Sequence, residues 1–318
     1  MKKVIFVGGT RYSGSIFVDM TLGNDPQGFS AGEVNALYQP VKSNHYAPVC
    51  SCHNKACRLW NELGKYPARE LYRRIFDKYP ETDFIVDSSK DPLWINKRVR
   101  ELDKQGIDHH IVLVWKSPQD IARSFYIRGE YEHWVQNWVN YHRLLYTLQP
   151  EHWTTLNFHE YATNPASLSE LCSRLDIPYF KGKERFWEKS HHLLLGNHSA
   201  RKHLLRNYGN RPASNPFAIG RTVTYKPVTD PELKFRLQMD LQANPMIGNL
   251  ERYLKSLQNG QTLDEEMLDN LRMGYSEIKL LQIANWLRLM KNRSLDAKAD
   301  MAPAVRTPAN RLLPNNGS

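Results

Sequence analysis

In Val4-Ile5-Phe6-Val7-Gly8-Gly9-Thr10-Arg11-Tyr12-Ser13-Gly14-Ser15-Ile16-Phe17-Val18-Asp19, a short apolar strand runs into a Gly/Ser loop that opens a helix. Such a junction can bind an anion. The loop glycines let backbone N–H groups converge, the Ser13 and Ser15 hydroxyls add donors, and the helix N-terminus contributes partial positive charge. A phosphate or a sulfate meets all three. The loop is not a Walker A motif, because no lysine precedes Ser15 to reach the outer phosphates of a nucleotide. Taken alone it is equally compatible with a plain strand-turn-helix junction, so the remaining strand ends decide.

Two of them repeat the arrangement. Phe84-Ile85-Val86 stops at Asp87-Ser88-Ser89-Lys90-Asp91-Pro92, where polar groups gather before a helix that Pro92 can start. Ile111-Val112-Leu113-Val114-Trp115 ends at Lys116-Ser117-Pro118, and Gln119 to Ile127 reads as a helix. Lys116 and Ser124 stand eight residues apart. A cation at a strand end and a hydroxyl one to two turns into the next helix can grip one phosphate. Pro67 to Tyr79 and Pro92 to Gln105 read as crossover helices, Trp153 to Phe158 as a fourth strand and Pro165 to Leu175 as a further helix. The fold class expected is α/β, a doubly wound, mainly parallel sheet flanked by helices. In such sheets ligands sit outside the carboxyl ends of the strands, which brings the three loops to one crevice.

These segments resemble, in order, motifs of sulfotransferases that use 3′-phosphoadenosine 5′-phosphosulfate (PAPS), in particular soluble bacterial-type members with a P-loop-like fold. The first loop is similar to their 5′-phosphosulfate loop, with the basic residue one position early at Arg11 and Tyr12 directly before Ser13. Asp87-Ser88-Ser89-Lys90 is similar to their second strand end. Lys116 and Ser124 match their 3′-phosphate pair, with lysine in place of arginine, a point charge for a bidentate fork. His191 to Arg201 resembles a late His-x-x-x-Gly-Asn-x-x-Arg region. The resemblance runs from about Lys3 to about Leu205.

It implies transfer of a sulfuryl group to a hydroxyl or amine of an unidentified small-molecule or glycan acceptor, with 3′,5′-adenosine bisphosphate as product. Ser13, Gly14 and Ser15 would hold the 5′-phosphosulfate, Lys116, Ser124 and Arg201 the 3′-phosphate, and Gly9, Thr10, Arg11, Tyr12 and Ser89 would belong to the same cofactor-binding set. Glu33, in Ser30-Ala31-Gly32-Glu33-Val34-Asn35, matches the position of a general base, with His45 and His133 in reserve. Arg11 and Lys90 would stabilise charge on the bridging and sulfuryl oxygens. A sulfuryl group carries less negative charge than a phosphoryl group, so no metal is required in principle. Two other readings stay open: a P-loop kinase or nucleotide hydrolase with an altered loop, and a noncatalytic binding protein built on the same fold.

Composition agrees. The 318 residues carry a net charge of +10, which favours an anionic ligand. The basic residues are spread along the chain and form no nucleic-acid arm. No apolar run approaches the about 18 residues of a membrane span. Val4 to Val7 is too short for a signal-peptide core, so a cytoplasmic protein is expected. Of four cysteines, three cluster as Cys50, Cys52 and Cys57. With His53 or His45 they could supply four zinc ligands, yet the spacing lacks a Cys-x-x-Cys knuckle, and thiols that are buried or stabilise a loop are the preferred reading. This cluster, followed by Trp60, again resembles the bacterial members, with His53 in place of a glycine. His191 and His192 read as core or surface residues without chemistry. Tyr131, Trp134, Trp138, Tyr141 and Leu145 recur at helical spacing and read as core. Three segments result: a sulfotransferase-like domain over 1–260, an amphipathic helical extension over 261–291 carrying Leu268, Leu271, Tyr275, Ile278 and Leu281, and a Pro-containing tail over 292–318 expected to be disordered.

Overall fold

The computed structural model describes residues 2–40, 50–52, 54, 56–148, 153–194, 229–261 and 265–300. His45, His53 and Arg201 lie outside them. Five strands, β1 (Lys3–Gly8), β2 (Gly28–Gly32), β3 (Phe84–Asp87), β4 (Asp108–Trp115) and β5 (Trp153–Asn157), form one parallel sheet in the order β2-β3-β1-β4-β5. Among the described residues they are accompanied by α1 (Ser15–Leu22), α2 (Leu59–Leu63), α3 (Leu71–Lys78), α4 (Pro92–Gln105), α5 (Pro118–Tyr126), α6 (Trp134–Leu148), α7 (Phe158–Thr163) and α8 (Ser167–Arg174). Helices α9 (Pro231–Ala243), α10 (Pro245–Gln258), α11 (Glu265–Leu271) and α12 (Tyr275–Asp300) follow.

Both faces of the sheet are covered, which is why its central strands read as unbroken apolar runs. On β1, Val4 and Phe6 pack with Trp94 and Ile95 of α4 and Leu71 and Ile75 of α3, while Ile5 and Val7 pack with Val18 and Leu22 of α1 and Leu171 of α8. The helix starts follow from their caps. Asp91 accepts from Leu93 N at 2.9 Å ahead of Pro92, and Ser117 accepts from Asp120 N at 3.1 Å ahead of Pro118. The α6 aromatic stripe packs the core: Trp134, Trp138 and Leu145 are fully buried. No helix among the described residues is long and apolar enough to cross a membrane.

The second strand was not legible. Gly28-Phe29-Ser30-Ala31-Gly32 has little strand propensity, but it pairs with β3 and every one of its residues is buried. Small residues stand there because another segment lies close. Gly32 sits at φ +79°, and a Cβ on it would come within 2.5 Å of the Leu194 carbonyl oxygen. The 183–194 segment is tied down along this edge. A buried Lys183–Asp25 ion pair of 2.6 Å and Lys189 donations to Gly23, Asp25 and Gly28 carbonyls hold its start, and Leu194 N donates to Ala31 O at 2.8 Å.

The apolar stripe after residue 260 divides. Leu271 is buried against the α6 cluster with Met267 and Leu268 alongside, whereas Tyr275, across the turn at Gly274, is 77% exposed. Arg143 fixes the turn by pairing with Glu277 at 2.8 Å and donating to the Leu271 and Arg272 carbonyls.

Gly32→Ala is expected to destabilise the protein by about 1 to 3 kcal/mol, since it adds a side chain at positive φ against a fixed carbonyl. Urea denaturation reads this directly. A midpoint equal to that of the unchanged protein contradicts the close packing of Leu194 on β2.

Candidate functional site

The candidate residues stand at the carboxyl ends of adjacent strands. Read across the sheet, Glu33 follows β2, Ser88 to Lys90 follow β3, the Gly/Ser loop follows β1 and Lys116 follows β4. Strand order changes direction between β1 and β4, the usual ligand position in an open α/β sheet.

The loop is folded tightly over the start of α1. Ser13 N donates to Thr10 O at 3.2 Å, Tyr12 adopts φ +68° and Gly14 φ +97°. Gly14 has no room for a side chain, because a Cβ would meet the Phe158 ring at 2.3 Å. Gly9 N donates to Tyr141 Oη at 2.6 Å, so α6 braces the first turn of the loop. No side chain caps α1. The Thr10 and Ser13 hydroxyls are buried and have no hydrogen-bond partner among the described residues. Buried hydroxyls are ordinarily satisfied. Two of them beside an uncapped helix start form a donor set lacking its acceptor, and an anion supplies one.

Lys116 and Ser124, paired from their spacing, come together. Lys116 Nζ donates to Tyr12 O at 2.6 Å and stands 3.5 Å from Ser124 Oγ, with the Phe158 ring 5.2 Å away. Burial pulls the Lys116 ammonium down from its ordinary value to about 8. Both of those hydrogen-bond partners are neutral oxygens, so an arriving anion meets a cation that its surroundings leave poorly solvated.

Other expected residues have different partners. Glu33 Oε1 accepts from Lys90 Nζ at 2.5 Å, a half-buried pair that links the β2 and β3 ends. Arg11 is half exposed and pairs with Glu130 at 2.9 Å, while donating to Tyr12 Oη at 2.8 Å. Arg128 lies 4.2 Å over the Tyr12 ring, so the rim of the loop carries two guanidinium groups around one aromatic. The Ser89 hydroxyl is engaged by Asp87 and by Asn35 N. Ser15 is buried at the first turn of α1. His133 is exposed beside Glu132. His191 is a core residue bonded to Phe186 O at 2.7 Å, and burial lowers its imidazole to about 4.

Four further positions shape the candidate site. Tyr141 belongs to the core stripe of α6, and its hydroxyl also touches the loop. Phe158, just past β5, floors it. Asp19 is fully buried and accepts from Ser30, Gly32 N and Ser88, and burial raises its carboxyl to about 7. Asp87 is buried likewise, accepting from Tyr72 Oη at 2.6 Å and Trp94 Nε1 at 3.0 Å. The signal for Asp19 was present: a lone carboxylate inside the apolar helix Ser-Ile-Phe-Val-Asp-Met-Thr-Leu needs a buried polar partner.

Removing an unpartnered buried hydroxyl removes a desolvation cost of about 1 to 3 kcal/mol. Ser13→Ala should therefore leave the ligand-free protein as stable as before or more stable, while weakening its affinity for sulfate. A thermal melt with and without sulfate measures both. Destabilisation of the ligand-free protein by more than about 1 kcal/mol contradicts an unpartnered Ser13 hydroxyl.

No protein-family model matches the chain, and no curated protein matches it. Among solved structures it is similar to the sulfotransferase domain from the curacin biosynthetic pathway, at 15% identity and a TM-score of 0.47, over 76% of this chain and 98% of that one. It is also similar to the sulfotransferase domain from the Synechococcus PCC 7002 olefin synthase, at 14% identity and a TM-score of 0.43, over 77% of this chain and 95% of that one.

Proposed function

We propose that the protein is a PAPS-dependent sulfotransferase acting on a hydroxyl or amine of a small-molecule or glycan acceptor. The observation that carries this reading is the pair of buried hydroxyls of Thr10 and Ser13, without a partner among the described residues, at the start of α1, one strand away from Lys116 and Ser124. A ligand with two separate anionic groups suits two such clusters. The donor set thus fits PAPS. Thr10, Ser13, Gly14 and Ser15 would hold its phosphosulfate end, and Lys116 with Ser124 its 3′-phosphate. When bound, PAPS supplies an activated sulfuryl group and a stable phosphate leaving group.

The chain's part is position, potential and proton transfer. Glu33 receives the proton that the acceptor gives up, and its hydrogen bond to Lys90 fixes the orientation of the carboxylate. Lys90 keeps positive charge at the β3 end, where negative charge builds on the transferring group. Arg11 and Tyr12 close the rim, and in the present state Glu130 holds the Arg11 guanidinium there.

Glu33→Gln retains an amide oxygen for Lys90 and removes the base. PAPS affinity should stay near that of the unchanged protein, while the transfer rate falls by roughly 10² to 10⁴. Full transfer by Glu33→Gln, measured with radiolabelled donor and an acceptor library, rules out this role for Glu33.

Affinity for 3′,5′-adenosine bisphosphate should also depend on pH through Lys116. Below about 8 the ammonium is charged and binds; above it, each further pH unit costs up to about tenfold, because binding then requires uptake of a proton. Lys116→Arg should abolish the decline while preserving binding, and Lys116→Ala should lose roughly tenfold or more at neutral pH. Calorimetric titration from about pH 6 to about pH 10, which spans the lysine's shifted value, measures this. A kinase or nucleotide hydrolase would instead bind ATP with magnesium in preference to the bisphosphate.

A further inference from the structure

The thiols of Cys50, Cys52 and Cys57 and a ring nitrogen of His192 all lie within 4.8 Å of one another. Cys50 Sγ is 3.3 Å and Cys57 Sγ 3.8 Å from His192 Nδ1. An ion at about 2.3 Å from sulfur and about 2.0 to 2.1 Å from nitrogen, in tetrahedral geometry, separates its sulfur and nitrogen ligands by about 3.6 Å. The two distances bracket that value.

Each ligand reaches the cluster through contacts of the fold itself. A turn at Ser51 and Cys52 brings two thiols to one side despite their Cys-x-Cys spacing, and Cys57 N donates to Asn54 O at 2.9 Å, returning the third. The imidazole comes from the far segment, 142 residues from Cys50. It is stacked on Phe29 with 9° between the rings, and Tyr79 lies against it. Ser51 bonds both segments together, through its N to Leu193 O at 3.1 Å and its Oγ to His191 O at 2.7 Å. The ligand set is therefore in register independently of any ion. The cysteines are free thiols.

We propose that Cys50, Cys52, Cys57 and His192 bind one zinc ion in a closed, structural site. Three thiolates and one imidazole suit zinc, and four protein ligands leave no position for a substrate. On binding, each thiol releases its proton to solvent. The ion would clip the loop after β2 to the 183–194 segment, whose Leu194 carbonyl accepts from Glu33 N at 3.3 Å. This proposal does not rest on sulfuryl transfer and stands or falls separately.

The test uses the full chain, produced with zinc and dialysed against metal-free buffer. About one zinc per chain should remain, and cobalt exchanged into it should give the visible absorption and thiolate charge-transfer bands of a tetrahedral thiolate site. Cys57→Ser and His192→Ala should each lower zinc affinity by more than the roughly 10- to 100-fold that loss of an outer partner costs. Cys172→Ala, which alters the buried cysteine of a separate core cluster, should keep one zinc per chain. If a ligand variant fails to fold, the cobalt spectrum of the unchanged protein decides by itself. Absence of stoichiometric zinc together with absence of the cobalt thiolate bands overturns the site, as does a disulfide among the three cysteines or zinc retained unchanged by both ligand variants.

Discussion

One buried carboxylate joins the parts of this site. Asp19 sits on α1, directly behind the anion loop, and accepts from Ser30 and Gly32 N of β2 and from Ser88 at the β3 end. The helix that presents the loop is therefore locked to the two strand ends that carry Glu33 and Lys90. A carboxyl buried this deeply costs free energy unless its oxygens are satisfied, and three donors satisfy them. Two of the three are hydroxyls, which can donate or accept. The network thus tolerates Asp19 in either protonation state, which matters because burial brings it to about 7.

With the scaffold held, the cations at the sheet edge differ in what they have left to give. Arg11 is engaged by Glu130 and Lys90 by Glu33. Lys116 is held by the neutral oxygens of Tyr12 and Ser124 and is disfavoured as a charge by its burial. An anion therefore gains most beside Lys116. The Thr10 and Ser13 hydroxyls, unpartnered as they are, gain from the same event on the neighbouring strand. Folding leaves these costs unrelieved and binding of an anion would relieve them, which is how a site can discriminate its ligand from water.

The parts legible in the sequence share one property: their signal is local. Apolar runs at Val4, Phe84 and Ile111, each followed by polar loop residues, mark β1, β3 and β4, and Pro92 and Pro118 mark the helices after them. The eight-residue interval from Lys116 to Ser124 could be counted. Strand β2 could not be found this way, since Ser30 and Gly32 are set by the approach of Asp19 and Leu194, and Gly28 by that of Phe84 and Asp25, and not by strand propensity. Tyr141 read as one more core aromatic because periodicity gives a face and not a partner. His192 was invisible as a neighbour of Cys50 for the same reason, being 142 residues away.

That non-local character has an energetic consequence. A strand of Gly, Phe, Ser and Ala contributes little of its own to staying in the sheet, so its position depends on long-range ties. Three stand along its length: the Lys183–Asp25 pair and the Lys189 bonds near its start, the Asp19 network along the middle, and Leu194 with the thiol and imidazole cluster at its end. A buried ion pair such as Lys183–Asp25 adds little net stability, yet breaking one partner leaves an uncompensated charge, so it fixes which segment lies there more than how tightly. The strand end that carries Glu33 is thereby positioned by residues more than a hundred places further along the chain, a loop whose closure entropy must be met although it grows only slowly with length. Ties at both ends of β2 confine that cost to folding and leave the site's geometry set before any ligand arrives.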